Sequence, residues 1–118
     1  MGTDLFAEPI SVGGARGLAL HGALDLTVAP RIEEQMQSAL LDGAGAFVLD
    51  LSGLSFMDSS GVNALLRARS LLGREDRPLV VVCPPGPTRR VLDLIGVVDV
   101  LAPFASRDEA SAALVPAD

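Results

Sequence analysis

The chain reads as an α/β domain in which a small, mostly parallel central sheet of about 4–5 strands carries about four helices. Three observations predict it. Phe47 to Leu51 form a nearly continuous apolar run, which suits a central strand covered on both faces. Val62, Leu65, Leu66, Ala68 and Leu72 then recur at helical spacing, and Leu79 to Cys83 form a β-branched run of a second buried strand. Helix and strand signals alternate along most of the chain, and such alternation is met by crossover connections between parallel strands.

Taken in order, Glu8 to Val12 and Leu18 to His21 are expected as a hairpin joined through Gly13, Gly14 and Gly17, with Gly22 closing the second strand. Thr27 stands where a cap is needed for a helix with the apolar stripe Val28, Ile32, Met36, Ala39 and Leu40. Pro30 falls in its first turn, where backbone N–H groups lack partners anyway. Gly43 and Gly45 end that helix and feed the central strand, after which Ser52 and Gly53 mark a turn. Leu54, Ser55, Phe56 and Met57 lead from it to Asp58, Ser59, Ser60 and Gly61 and into the long helix. Gly73 to Pro78 form a charged turn, and Pro84 to Pro87 stop the Leu79 to Cys83 strand. A third helix is expected over Thr88 to Ile95 with Gly96 at its end, followed by a last short strand over Val98 to Leu101. Ser106 with Glu109 three residues on has the pattern of a capping box, opening a final helix with Ala110, Ala113 and Leu114 on one face.

Composition narrows the function. A chain of 118 residues supports one core, read here as one domain over 1–118 with its core over 18–114. Hydrophobic residues make up 49% and charged residues 20%, a globular balance with no apolar run near the roughly 18 residues of a membrane span. Met1 to Phe6 carry neither the basic cluster nor the apolar stretch of a secretion signal, and the single Cys83 has no partner for an internal disulfide; both point to the cytoplasm. A net charge of -6 argues against nucleic acid, and with no Tyr or Trp and four Phe the stacking platforms of single-strand binders are missing too. All nine basic residues are arginine, which removes Schiff-base chemistry and a phosphate-loop lysine. No cofactor or metal is called for.

Asp58, Ser59 and Ser60 sit at the mouth of the long helix, where their side chains can accept from free N–H groups and where those groups with the helix dipole favour a phosphate. Ser59 as a modified residue stands against Ser59 as a plain helix cap. A serine-hydrolase reading fails for want of a nucleophile elbow and a base, since the one histidine, His21, belongs to a strand. Asp50 ends the apolar run as the phosphoacceptor of a receiver domain does, but the lysine such a site needs is absent; a structural carboxylate bonded to nearby N–H groups is expected. Asp25 serves either as a turn former before Thr27 or as part of a site, Cys83 is expected as a buried inert thiol, and Arg89 and Arg90 as solvated charges. In a parallel sheet the connections after Gly22 and after Ser52 leave strands at the same end, which would bring Asp25 and Ser59 near each other.

Gly22-Ala23-Leu24-Asp25, Leu49-Asp50-Leu51 and Leu54-Ser55-Phe56-Met57-Asp58-Ser59-Ser60-Gly61, at these spacings, resemble the STAS family of bacterial anti-sigma factor antagonists over roughly Leu18 to Leu114. The Phe-Met-Asp-Ser-Ser-Gly segment is the most specific part. The resemblance implies that Ser59 is the phosphoacceptor, with Ser60 as the alternative, and that Leu24, Asp25, Asp58, Ser60, Gly61, Asn63 and Arg67 meet a protein partner. It implies partner switching. The unphosphorylated antagonist captures an anti-sigma factor that is also a serine kinase and so frees a sigma factor; phosphorylation reverses this, and a phosphatase restores the first state. The chain is then no enzyme. Family members commonly carry a glutamate in a surface loop where this chain has Ala23, which leaves open a second reading: a module of the same fold, never phosphorylated, that senses a small ligand or scaffolds a signalling assembly.

Overall fold

A computed structural model describes residues 5–41 and 43–114, with the side chains of residues 40 and 41 also left aside; the expectations placed on Leu40 and on residues 1–4 lie outside the described residues. The elements run β1 (Phe6–Val12), β2 (Ala15–Leu24), α1 (Ala29–Leu41), β3 (Phe47–Met57), α2 (Ser59–Gly73), β4 (Leu79–Val82), α3 (Pro87–Ile95), α4 (Val98–Leu101) and α5 (Arg107–Leu114). The four strands form one sheet in the order β1-β2-β3-β4, antiparallel between β1 and β2 and parallel thereafter.

Strand alternation and helix periodicity together set the layers. Leu18, Leu20, Leu49, Leu51 and Val81 point to one face of the sheet, where they meet Ile32 and Met36 of α1, Val62, Leu65 and Leu72 of α2, and Leu92 of α3. Val12, Val48 and Val82 point to the other face and are covered by Ala110 of α5. The central run is therefore buried from both sides, as its composition requires, and each such Leu or Val is worth roughly 1.5–3 kcal/mol on burial. Among the described residues no helix is long and apolar enough to cross a membrane.

Several boundaries differ from the sequence reading, each for a physical reason. β2 does not stop at Gly22 but runs to Leu24, and Gly17 lies inside it and not in the hairpin link. The link is Gly13-Gly14, both at positive φ. Ser52 and Gly53 do not turn the chain, because β3 continues through them. Ala19 is opposite Asp50 but His21 is opposite Gly53, and Gly22 is opposite Leu54 but Ala23 is opposite Phe56, so β3 carries an extra residue at two bulges. At the first, the Asp50 carboxylate accepts from the N–H of Ser52 at 2.8 Å and from its hydroxyl. At the second, the Ser55 hydroxyl donates to the Gly22 carbonyl at 3.1 Å. Small polar residues thus mark bulges that hold themselves together locally. Gly53 is needed because the His21 ring lies across it; a Cβ there would stand 2.3 Å from His21 Nδ1.

Val98 to Leu101 form the short helix α4 and not a strand. Val98 and Leu101, three apart, both pack on the core, so their helical spacing prevails over the β preference of valine. The contact expected there is made by Phe104, which bridges to Val82 beyond the end of α4. With α4 the described helices number five. In α5 Ala110 is fully buried and Leu114 half-buried, while Ala113 stays exposed. Ser106 Oγ accepts from the Glu109 N–H at 3.1 Å, and Glu109 reaches back to the Ala105 N–H at 3.0 Å, one residue earlier than a capping box predicts.

Asp50 also fastens α5 to the sheet, because Arg107 Nε donates to its second carboxylate oxygen. Burial pushes the Asp50 carboxyl up, but the Ser52 hydroxyl and N–H and the Arg107 guanidinium together hold it below its ordinary value. A carboxyl with a depressed folded-state pKa stabilises the fold above its unfolded pKa and loses that contribution as pH falls through the folded one. Asp50→Asn should therefore lower stability by about 1–3 kcal/mol at neutral pH, and the gap from the parent should close as pH falls below about 4. Urea titrations of both proteins across that range measure it; a gap independent of pH would contradict the assignment. Gly17 gives a second test. A Cβ there would stand 2.3 Å from the Val48 carbonyl oxygen, so Gly17→Ala should cost about 1–3 kcal/mol through displaced backbone, read as a lower urea midpoint at unchanged slope.

Candidate functional site

The site begins where β2 and β3 end together. The Asp58 N–H donates to the Leu24 carbonyl at 3.3 Å, so the chain leaves two neighbouring parallel strands at one end, toward Asp25 on one side and Ser59 on the other. Asp58 is extended, with φ -112° and ψ -171°, and its carboxylate accepts from the N–H groups of Ser60 at 2.9 Å and Gly61 at 3.2 Å. It is the N-cap of α2, and the Val62 N–H donates to its carbonyl at 3.1 Å. Ser59 is then the first helical residue and is exposed; Ser60 is half-buried.

Gly61 locks this corner. A Cβ on it would lie 2.7 Å from Met57 Cγ and 2.8 Å from the Leu24 carbonyl oxygen, so only glycine lets the first turn of α2 come so close to both strand ends. Of the residues expected to meet a partner, Gly61 is buried and Leu24 is 0% exposed, and both positions are spent on packing. The residue that stands out in their place is Leu26, 71% exposed, a lone apolar side chain between Asp25 and Thr27 that no periodicity singles out.

Asp25 accepts from the Thr27 N–H at 3.0 Å and the Thr27 hydroxyl at 2.6 Å, and its carbonyl accepts from the N–H groups of Val28 and Ala29. The Thr27 hydroxyl lowers the Asp25 pKa most, desolvation opposes it, and backbone donors add to the lowering. Thr27 is thus committed to Asp25 and does not cap α1, which begins at Ala29. Leu26, Pro30 and Glu33 from this side, with Ser60, Asn63 and Arg67 of α2, line a depression of about 190 Å³. Arg67 reaches across to the Glu33 carboxylate, an exposed pair worth about 0–1 kcal/mol that leaves Asn63 as the open polar group of the second turn. A larger groove, of about 570 Å³, continues between α1 and α2 over Met36, Ala64 and Ala68 as far as Arg74.

Ala23 is not in a surface loop. It belongs to β2, is 7% exposed, and is paired with Phe56, whose side chain is half open to solvent. His21 lies on the face of the sheet away from α2, stacked on Phe6 with ring centroids 4.6 Å apart and bonded to Glu8 at 3.2 Å. It offers Ser59 no base. Cys83 is 1% exposed and burial pushes its thiol up, as an inert thiol should be. Arg89 is not simply solvated, since Nη1 donates to the Cys83 carbonyl at 3.4 Å. Among the described residues no group of His, Cys, Asp and Glu could hold a metal ion.

Comparison with known proteins agrees with this architecture. The chain is 29% identical over 97 residues to the anti-sigma-F factor antagonist RsfB of Mycobacterium tuberculosis, covering 82% of this chain and 79% of that one. The crystal structure of an anti-sigma factor antagonist from Mycobacterium paratuberculosis superposes with a TM-score of 0.84 at 26% identity, covering 94% of each chain. SpoIIAA of Bacillus is similar in both its solved states: the unphosphorylated form at a TM-score of 0.69 and 26% identity, over 91% of this chain and 92% of that one, and the phosphorylated form at 0.65 and 25%, over 94% and 99%. The STAS domain model matches residues 10–110, from the middle of β1 to the buried Ala110 of α5, and the chain belongs to that family.

Proposed function

We propose that the chain is an anti-sigma factor antagonist that works by partner switching, with Ser59 as its phosphoacceptor. In this reading it is a non-enzymatic regulator acting in the cytoplasm. Its unphosphorylated form holds an anti-sigma factor that is also a serine kinase, and a separate phosphatase resets it after modification. The observation that carries the reading is the exposed hydroxyl of Ser59, held at the first position of a helix whose start is clamped to two strand ends. The similarity to RsfB and to SpoIIAA, which has been solved in a phosphorylated form, supports it.

The chemistry asked of this chain is small. Ser59 Oγ forms a bond to the γ-phosphorus of ATP as the bond to the β-bridging oxygen breaks, ADP leaves, and the hydroxyl proton passes to a base of the kinase. No base of this chain is needed, and none is offered: Asp58, the nearest carboxylate in sequence, is bonded to backbone N–H groups. Leu26, Asp25, Asn63 and Ser60 form the docking face in this reading, and Leu26 is its apolar anchor. A phosphate there adds roughly -1.5 to -2 charges beside the carboxylates of Asp25 and Asp58. Like charges set together at an interface cost several kcal/mol, and about 2.7 kcal/mol is already a hundredfold in affinity.

Kinase assays should label the parent and Ser60→Ala but not Ser59→Ala; label retained by Ser59→Ala would overturn the assignment. In calorimetry with the anti-sigma factor, Ser59→Ala should bind like the parent, the phosphorylated form about a hundredfold more weakly, and Ser59→Asp in between. Leu26→Asp should weaken binding by about tenfold or more while leaving the urea midpoint unchanged, because an exposed leucine carries little of the fold. Equal affinities across these forms would rule the docking face out.

A further inference from the structure

This inference rests on Ser59 being the phosphoacceptor and concerns what receives the phosphate. A phosphate on the first residue of a helix ordinarily finds free N–H groups in the first turn and is favoured there by the helix dipole. In α2 the N–H groups of Ser60 and Gly61 are already bonded, at 2.9 and 3.2 Å, to the Asp58 carboxylate. The backbone on both sides of that carboxylate is fixed. The Asp58 N–H is held by the Leu24 carbonyl, and Gly61 is wedged between Met57 and Leu24 with no room for even a methyl group. A phosphate can therefore bond the Ser60 and Gly61 N–H groups only by displacing the Asp58 side chain, which leaves it the N–H of Ser59 itself.

We propose that Asp58 keeps a phosphate on Ser59 off the Ser60 and Gly61 N–H groups of α2 and turns it outward, toward the face shared with Leu26 and Asn63. Asp58 is then a positioning residue. It decides whether the added charge is absorbed by the helix or presented to the partner. The charged groups around this end of the sheet are Asp58 itself, Asp25 on the β2–α1 connection, and the Glu33–Arg67 pair across the depression. Arg67, the one cation among the residues lining that depression, is paired with Glu33 at an exposed position, so that cation lies on the side to which the phosphate is turned.

The two placements differ in a quantity that can be read directly. A phosphate bonded to helix N–H groups is stabilised as the dianion, so its second pKa falls below about 6, whereas one held beside a carboxylate is pushed the other way. The experiment uses the full chain with phosphoserine installed at position 59 during synthesis, followed by phosphorus NMR and by the Ser60 and Gly61 amide signals across a pH titration. In the parent the phosphate should titrate at or above about 6 with both amides nearly still. Asp58→Asn leaves a neutral acceptor on the same N–H groups and should lower the phosphate pKa by about half a unit to one unit. Asp58→Ala frees the N–H groups, and the pKa should fall by about one unit or more with both amides moving as the phosphate ionises. A parent phosphate that titrates well below about 6 and drags both amides with it has displaced Asp58, and the proposal is wrong. Identical titrations in the parent and the Asn variant, which keeps the cap, overturn it equally. No kinase or partner is present, so a Ser59 that no kinase modifies would sink the switching mechanism without altering this result, and the reverse also holds.

Discussion

The fold depends on bringing two parallel strands of unequal length to the same finish. The stretch of β2 paired with β3 runs only from Arg16 to Leu24, while β3 spans eleven residues from Phe47 to Met57, yet each end of one is paired with the corresponding end of the other. An unbroken ladder from Arg16 and Phe47 would leave Met57 two places beyond Leu24, past the point where β2 ends. The two bulges in β3 absorb that difference. They place Met57 level with Leu24, which in turn puts the Asp58 N–H within reach of the Leu24 carbonyl and lets Gly61 settle against both. The geometry of the helix start follows from the register of the sheet beneath it.

Bulges leave polar backbone without a ladder partner, and in β3 nearby side chains supply local partners. Asp50 provides one by turning its carboxylate onto Ser52, and the Ser55 hydroxyl meets Gly22 at the other. Asp50 does more than satisfy the bulge, since its second oxygen holds Arg107 at the start of α5. One buried carboxylate thus links the irregularity in the strand to the helix that covers the far face of the sheet. The same arrangement explains why Asp50, though it ends an apolar run as a phosphoacceptor aspartate would, is not free for chemistry.

Much of this was legible in the sequence, for reasons of period. The helical spacing of Val62, Leu65, Ala68 and Leu72, the β-branched run at Leu79 and the Gly96 helix end are local signals, and the structure follows them. What could not be read depends on pairing partners that a single strand does not reveal. Ser52-Gly53 has the composition of a turn, but a bulge draws on the same residues, and only the length of β2 distinguishes the two. Leu24 and Ala23 read as loop residues because Gly22 reads as a stop, whereas its φ of +102° is accommodated within the strand. In the candidate site, Asp58, Ser59 and Ser60 were legible as the mouth of a helix. Leu26 was not, because one apolar residue between polar neighbours has no period to betray it, and its significance comes from exposure alone.

A site built this way has little conformational freedom, which constrains how it can act as a switch. The first turn of α2 is held by a backbone hydrogen bond, a carboxylate cap and a glycine contact that tolerates no displacement, so a modification at Ser59 changes charge far more readily than shape. The magnitudes support such a mechanism. Burying a leucine such as Leu26 against a partner yields roughly 1.5–3 kcal/mol, whereas a doubly charged group forced to lose water beside carboxylates costs several kcal/mol. The penalty exceeds the gain from the apolar anchor that lies nearest to it. In the proposed reading, a rigid platform with an exposed Leu26 and a modified Ser59 reverses the sign of binding at that face with the fold unchanged, and the Asp58 cap between them sets how much of the new charge the partner meets.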